Sequence, residues 1–139
     1  MTFNVDVAEY RGETFRTSGS EAAPGHVWII QIAGVTYASE GFEQKGDVRL
    51  KQVPIAELDA WYRERATATW RGQPVSVSAV DGGVARVDYL GGSAVWAQDN
   101  GLEGDQYGGF YGTIDAAELE NVQVDRTDHL ARWKKENQG

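Results

Sequence analysis

The most constraining feature of this chain is a stretch that it uses twice. Tyr10-Arg11-Gly12-Glu13-Thr14-Phe15-Arg16-Thr17-Ser18 returns as Trp70-Arg71-Gly72-Gln73-Pro74-Val75-Ser76-Val77-Ser78. Both read aromatic, Arg, Gly, polar, small, apolar. Gly41-Phe42-Glu43 returns as Gly101-Leu102-Glu103, and Val53-Pro54-Ile55-Ala56-Glu57-Leu58 as Ile114-Asp115-Ala116-Ala117-Glu118-Leu119. Three blocks in one order at a nearly constant offset indicate an internal duplication, the first thing to settle in any chain. A unit of about 60 residues buries only about 60% of its unfolded surface and is marginal alone. Two copies in a chain of 139 residues relieve that.

Composition sharpens the fold class. Five Trp, six Tyr and 17 Gly suit β-rich packing joined by tight turns. Within each repeat, short alternating runs are separated by turn residues: Phe3, Val5 and Val7 before the first Arg-Gly turn, Phe15 inward after it, then His26 to Ile32. That last run is apolar on both faces, with Trp28, Ile30 and Ile32 on one and Val27 and Ile29 on the other. Trp28 and Ile30 are expected in the core, with Val27 and Ile29 under the other repeat or a terminus. Val48, Leu50 and Val53 are expected inward, and Trp96-Ala97 is expected to match the strand at Tyr37-Ala38.

After Pro54, Ile55, Leu58, Trp61 and Tyr62 fall at helical spacing. This predicts a short helix of two to three turns, against the alternative of a single 3₁₀ turn. In the second half, Asp81-Gly82-Gly83 between alternating strands predicts a hairpin with Val75, Val77, Val87 and Tyr89 inward. Leu119 joins that core. Thr127 can cap a terminal helix from Asp128 to Glu136 that docks through Leu130 and Trp133.

The expected fold is therefore mainly β: a tandem repeat of two small SH3-like β units with short helical turns and a C-terminal helix. Residues 1–66 form the first repeat, 67–126 the second and 127–139 the helical tail. A single twisted sheet built from both halves is the main alternative.

Net charge is −8. An acidic chain is a poor general binder of nucleic acid and a good fit to a basic protein partner. Without Cys there is neither a disulfide framework nor a thiolate metal site. The first residues carry no basic or long apolar run, and the longest apolar stretch, Val27 to Val35, is too short to cross a bilayer. A soluble cytoplasmic chain with no membrane partner is expected.

No residue set announces a reaction. His26 and His129 stand far from any nucleophile motif, and no Gly-rich phosphate loop opens a helix. An enzyme is not expected, and neither is a cofactor. Residues 99–105 are acidic, but Gly101 and Phe110 stand where an EF-hand needs ligands, so no metal is expected. As a partner-binding loop the segment is more attractive, because loops on a rigid β scaffold are where recognition concentrates. The candidate binding set is Trp96, Asp99, Glu103, Asp105 and Tyr107, with Glu40 and Glu43 as the weaker counterpart in the first repeat. The plainer reading is that half of these aromatics fill the core, since alternation sends every second one inward.

From Trp70-Arg71-Gly72 through Asp81-Gly82-Gly83, Tyr89-Leu90-Gly91-Gly92 and Gly101-Leu102-Glu103, the chain resembles small bacterial immunity proteins of polymorphic-toxin systems. The resemblance covers most of the second half and, more faintly, the first. It implies a non-enzymatic cytosolic antitoxin that occludes a cognate toxin by direct binding. It carries over no binding residues. The alternative is an SH3-like peptide- or ligand-binding module with no toxin partner. The sequence leaves open which repeat binds and how many copies assemble.

Overall fold

The structure is a computed structural model describing residues 2–137. It is mainly β, with a C-terminal helix. Its strands fall into two compact units. One comprises Val5–Arg63 and the segment from Arg126 onward, the other Glu64–Asp125 with the N-terminal residues up to Asn4.

The first unit contains β1 (Asp6–Tyr10), β2 (Glu13–Arg16), β3 (His26–Ile30), β4 (Glu43–Lys45) and β5 (Val48–Pro54). A 3₁₀ turn at Ile55–Glu57 follows, then the start of β6 (Ala60–Trp70). Its antiparallel order is β4-β5-β3-β2-β1-β6. The second unit takes the rest of β6, then β7 (Gln73–Asp81), β8 (Val84–Tyr89), helix α1 (Ala94–Asp99), β9 (Glu103–Asp105) and β10 (Gly109–Asp115). A second 3₁₀ turn, Ala116–Glu118, leads into β11 (Leu119–Asp128), and helix α2 (His129–Glu136), which follows it, belongs to the first unit. The order here is β6-β7-β8-β10-β9, with β11 on β6.

The duplication is thus a duplication of structure. Each repeat has six strand positions, with β6 serving as the sixth of the first and the first of the second. In each, the sixth strand pairs with the first, the third with the fifth and the fourth with the fifth. Phe15 and Val75 hold the same place, third in β2 and third in β7, and both are fully buried. Ile55 N–H donates to Gly25 O and Ala116 N–H to Gly83 O, both at 2.9 Å, so each 3₁₀ turn is anchored alike. The SH3-like barrel expected for each repeat does not form: the antiparallel strands stay open, with β4 and β9 as outer strands.

Each repeat has its own core. Ala8, Tyr10, Phe15, Val27, Ile29, Val53, Ile55, Leu58 and Trp61 pack in the first, with Leu130 and Trp133 of α2 laid on them. Ala66, Ala68, Trp70, Val75, Val77, Val87, Tyr89, Leu102 and Phe110 pack in the second, joined by Phe3. Leu119 is only partly buried against it.

Several expectations are corrected. The helix expected after Pro54 stops at one turn, because Leu58 and its successors are extended and Asp59 N–H donates to Glu9 O at 2.8 Å. Beyond it β1 offers pairing for residues 60–63, and that pairing overrides helix propensity. In β3 the deep face is Val27 and Ile29, both at 0% exposure, while Trp28 and Ile30 are half-buried. Val48 is likewise exposed, leaving Val53 as the buried residue of β5. Tyr37-Ala38, expected in a strand, lies in irregular chain between β3 and β4, and Trp96-Ala97 lies in a helix begun by Ser93, whose hydroxyl accepts from Trp96 N–H at 3.1 Å.

Asn4, at φ 61°, breaks the alternation expected of residues 3–10. Phe3 is buried before it, and Ala8 and Tyr10 after it, in place of Val5 and Val7. The cap of α2 is Asp128 in place of Thr127, its carboxylate accepting from Ala131 N–H at 2.9 Å, so the helix begins at His129.

Candidate functional site

Residues 99–105 are not one loop. Asp99 ends α1, Gly101 turns the chain at φ 79°, and Glu103–Asp105 is β9, hairpinned to β10. The Asp105 carboxylate accepts from Gly108 N–H at 2.7 Å and Tyr107 N–H at 2.9 Å. Those two bonds, Gly108 first, hold its carboxyl below the usual carboxylate value. Asp105 therefore closes its own turn. At the tip, Tyr107 is 90% exposed.

Trp96 is turned into the second core, edge-on to Trp70 at 5.6 Å and stacked on Tyr89 at 5.2 Å. The expected set is therefore divided. Trp96 packs, Asp105 shapes the turn, Asp99 is exposed at the end of α1, and Glu103 and Tyr107 are exposed on the β9–β10 hairpin.

Strand register supplies neighbours for Glu103 that the sequence did not reveal. Glu103 lies opposite Tyr111 of β10, and Tyr111 opposite Asp88 of β8. Residues opposite one another in a ladder point to the same face. Asp88, Tyr111 and Glu103 thus form a row across three strands, while Val87, Tyr89, Leu102 and Phe110 fill the core. The next row pairs Arg86 with Thr113. Together these residues, with Gly101 and Gly112, line an open cleft of about 410 Å³. Neither Asp88 nor Glu103 has an ion pair or side-chain hydrogen bond among the described residues. The wet face of β8 could be read from the alternation of Val84 to Tyr89. Its alignment with β9 through β10 could not.

The counterpart residues behave differently. Glu43 opens β4 opposite Leu50 and is exposed. Glu40 lies in the preceding loop, its carbonyl accepting from Lys51 Nζ at 3.0 Å. Glu13, not Glu40, organises that loop: its carboxylate accepts from Ser39 Oγ at 2.5 Å, Ala38 N–H at 2.7 Å and Ser39 N–H at 2.9 Å.

Charge is unequally shared. The second unit holds ten acidic and three basic residues, a net −7, and the first holds eleven and ten, a net −1.

The histidines have structural partners. His26 Nδ1 lies 2.9 Å from Pro24 O, and His129 packs against Trp61 with Nε2 2.9 Å from Asp6 Oδ1. Among the described residues no group of three or more His, Cys, Asp or Glu is placed to hold a metal ion, and no helix is long and apolar enough to cross a membrane. No family model, curated protein or solved structure matches the chain.

Proposed function

We propose that this protein is a non-enzymatic binding module that docks a basic protein through the outer face of its second repeat. Its most specific form is an immunity protein occluding the active site of a cognate toxin. The observation that carries the reading is the row Asp88–Tyr111–Glu103, two unpaired carboxylates around an exposed ring in a repeat of net −7. Exposed carboxylates steer a cationic patch into encounter, and a nearby aromatic supplies the anchor. Tyr107, on the same hairpin, is the natural anchor. Toxins that bind phosphate-bearing substrates present electropositive clefts, which such a surface complements.

The test is capture from the native host at low salt, followed by co-expression. The reading expects a basic protein that is toxic alone and harmless beside this chain. The Asp88→Lys, Glu103→Lys pair should slow association strongly at low salt and less at high salt, since the Debye length is only about 10 Å at 0.1 M. A captured protein that is not toxic, yet is lost on the double reversal, would favour the plainer reading of a binding module without a toxin. A partner indifferent to the reversal at low salt would refute the assigned face.

A further inference from the structure

We propose that the cleft of the second repeat takes one arginine side chain of the partner, its guanidinium flat on the Tyr111 ring and bracketed by Asp88 and Glu103. The inference rests on the reading of a basic partner and adds which cation the site selects.

Three observations converge on it. First, the register places Asp88 and Glu103 on opposite sides of Tyr111 in a single row. With strands about 4.8 Å apart, their backbones stand about 10 Å from each other. A planar fork with five N–H donors can serve both carboxylates from above the ring, whereas an ammonium serves one and meets a ring only as a point charge at longer range, as Lys45 over Trp28 and Lys51 over Tyr10 do at 5.5 Å.

Second, this chain already uses the arrangement elsewhere. Arg11 lies over Tyr10 at 4.9 Å, Arg71 over Trp70 at 4.6 Å and Arg126 over Tyr62 at 3.7 Å. Tyr111 is 48% exposed and carries no cation or ring among the described residues.

Third, Arg86 makes no ion pair with either acid. It stands two residues from Asp88 on the same strand face, about 6.6 Å along β8. At that end of the cleft its donors suit a backbone carbonyl and repel a second cation. The site therefore reads one arginine on an extended loop, not a lysine-rich surface.

The experiment is an amide NMR titration of the intact chain with N-acetyl-arginine amide, its lysine analogue and its neutral citrulline isostere. Arginine should shift the amides of Asp88, Glu103, Tyr111 and Gly112 with millimolar affinity. Lysine should bind at least about fivefold more weakly, and citrulline should leave these amides unmoved. Tyr111→Leu should abolish the shifts. If that variant loses its dispersed spectrum, Asp88→Asn and Glu103→Gln, both exposed, should each weaken the titration severalfold.

Equal response to arginine and lysine, shifts confined to other surfaces, or no response at all would overturn the inference. Capture of a basic partner that is lost on the Asp88, Glu103 reversal, with no arginine preference, would sink this inference alone. Arginine selectivity at the cleft with no basic partner captured would instead sink the functional reading.

Discussion

The two repeats agree where they hold themselves together and differ where they face water. Arg11 and Gly12 turn the first hairpin at φ 51° and 78°, and Arg71 and Gly72 turn the second at 49° and 80°. A left-handed Arg costs roughly 1–2 kcal/mol of backbone energy. In both repeats its guanidinium stacks on the preceding aromatic and reaches the Glu of the 3₁₀ turn, at 3.9 Å to Glu57 and 3.1 Å to Glu118. The retained residues therefore fasten the first hairpin to the turn before the sixth strand.

The link from second to third strand is long in the first repeat, residues 17–25, and is only Gly82-Gly83 in the second. Between third and fourth strands the first repeat has irregular chain and the second has α1. Net charge moves from −1 to −7. The two copies thus share their fastening residues and present different charge to water.

The largest effects should come from the matched core positions. Phe15 is fully buried and stacks on Tyr37 at 4.5 Å and Phe42 at 5.5 Å. Phe15→Ala should cost about 3–5 kcal/mol in denaturant titration. Val75→Ala, which deletes two methyl groups at the same place in the second repeat, should cost about half that. Equal losses would mean that the two cores do not respond independently. Within β3, Ile29→Ala should cost about 2–5 kcal/mol and Ile30→Ala clearly less, since Ile30 is only half-buried. The reverse ranking would restore the face first expected from the sequence.

The fourth-to-fifth-strand hairpins provide the next contrast. A Cβ on Gly104 would lie 2.1 Å from the Gly109 carbonyl oxygen, at φ +107°, so backbone would have to move. Gly46, in the matching hairpin, has φ +59° and open space around it. Gly46→Ala should cost about 1–2 kcal/mol and Gly104→Ala more, with loss of the β9–β10 cross-strand signals by NMR. A Gly104→Ala protein with that hairpin intact would show that β9 is less tightly placed than the geometry demands.

A smaller difference is expected at the turns. Arg71 also donates to Asn100 Oδ1 at 3.1 Å, whereas among the described residues the polar partner of the Arg11 side chain is Glu57, at 3.9 Å. Asn tolerates the left-handed region. Arg11→Asn should be neutral or slightly stabilising, and Arg71→Asn destabilising by up to about 1 kcal/mol, less at high salt. Identical responses to both changes would mean that the closer ion pair contributes nothing.

How much of this was legible depended on whether a signal was local. The duplication, the Asp-Gly hairpin, Phe15 and Val75 as matched core positions and the docking of Leu130 and Trp133 all follow from short-range pattern. The short 3₁₀ turn did not, because Ala60 to Arg65 is made of good helix formers. What keeps it extended is β1, some fifty residues earlier in the chain. The deep face of β3 was undecidable by alternation, since both faces are apolar. Ser93 could have revealed α1, being an N-cap residue ahead of Ala-Val-Trp-Ala. In the candidate site, the exposure of Glu103 and Tyr107 was legible, and so were the wet positions Arg86 and Asp88. The row through Tyr111 was not, because register across β8, β10 and β9 is set by pairing and leaves no mark in any one strand.

The finest contrast is between two carboxylates that organise loops, one in each repeat. Ser39 Oγ, then the Ala38 amide, with a smaller share from Ser39 N–H, hold the Glu13 carboxyl below its ordinary value; the Gly108 and Tyr107 amides do the same for Asp105. A carboxyl whose folded value is depressed stabilises the protein above its unfolded value, and that stabilisation is lost as pH falls through the folded value. Both effects should therefore be full at neutral pH and vanish on the acid side. Side-chain carbonyl NMR should show both groups titrating below the ordinary carboxylate range. Glu13→Gln keeps an acceptor oxygen but loses the charge, so its stability deficit should be full at neutral pH and shrink as pH falls through the depressed folded value. Asp105→Asn can still accept from Gly108 or Tyr107, so its deficit should be the smaller, whereas Asp105→Ala loses the turn. Glu13 titrating at or above its ordinary value would mean that the 38–39 loop is not held by its carboxylate, and the loop contrast between the repeats would fail.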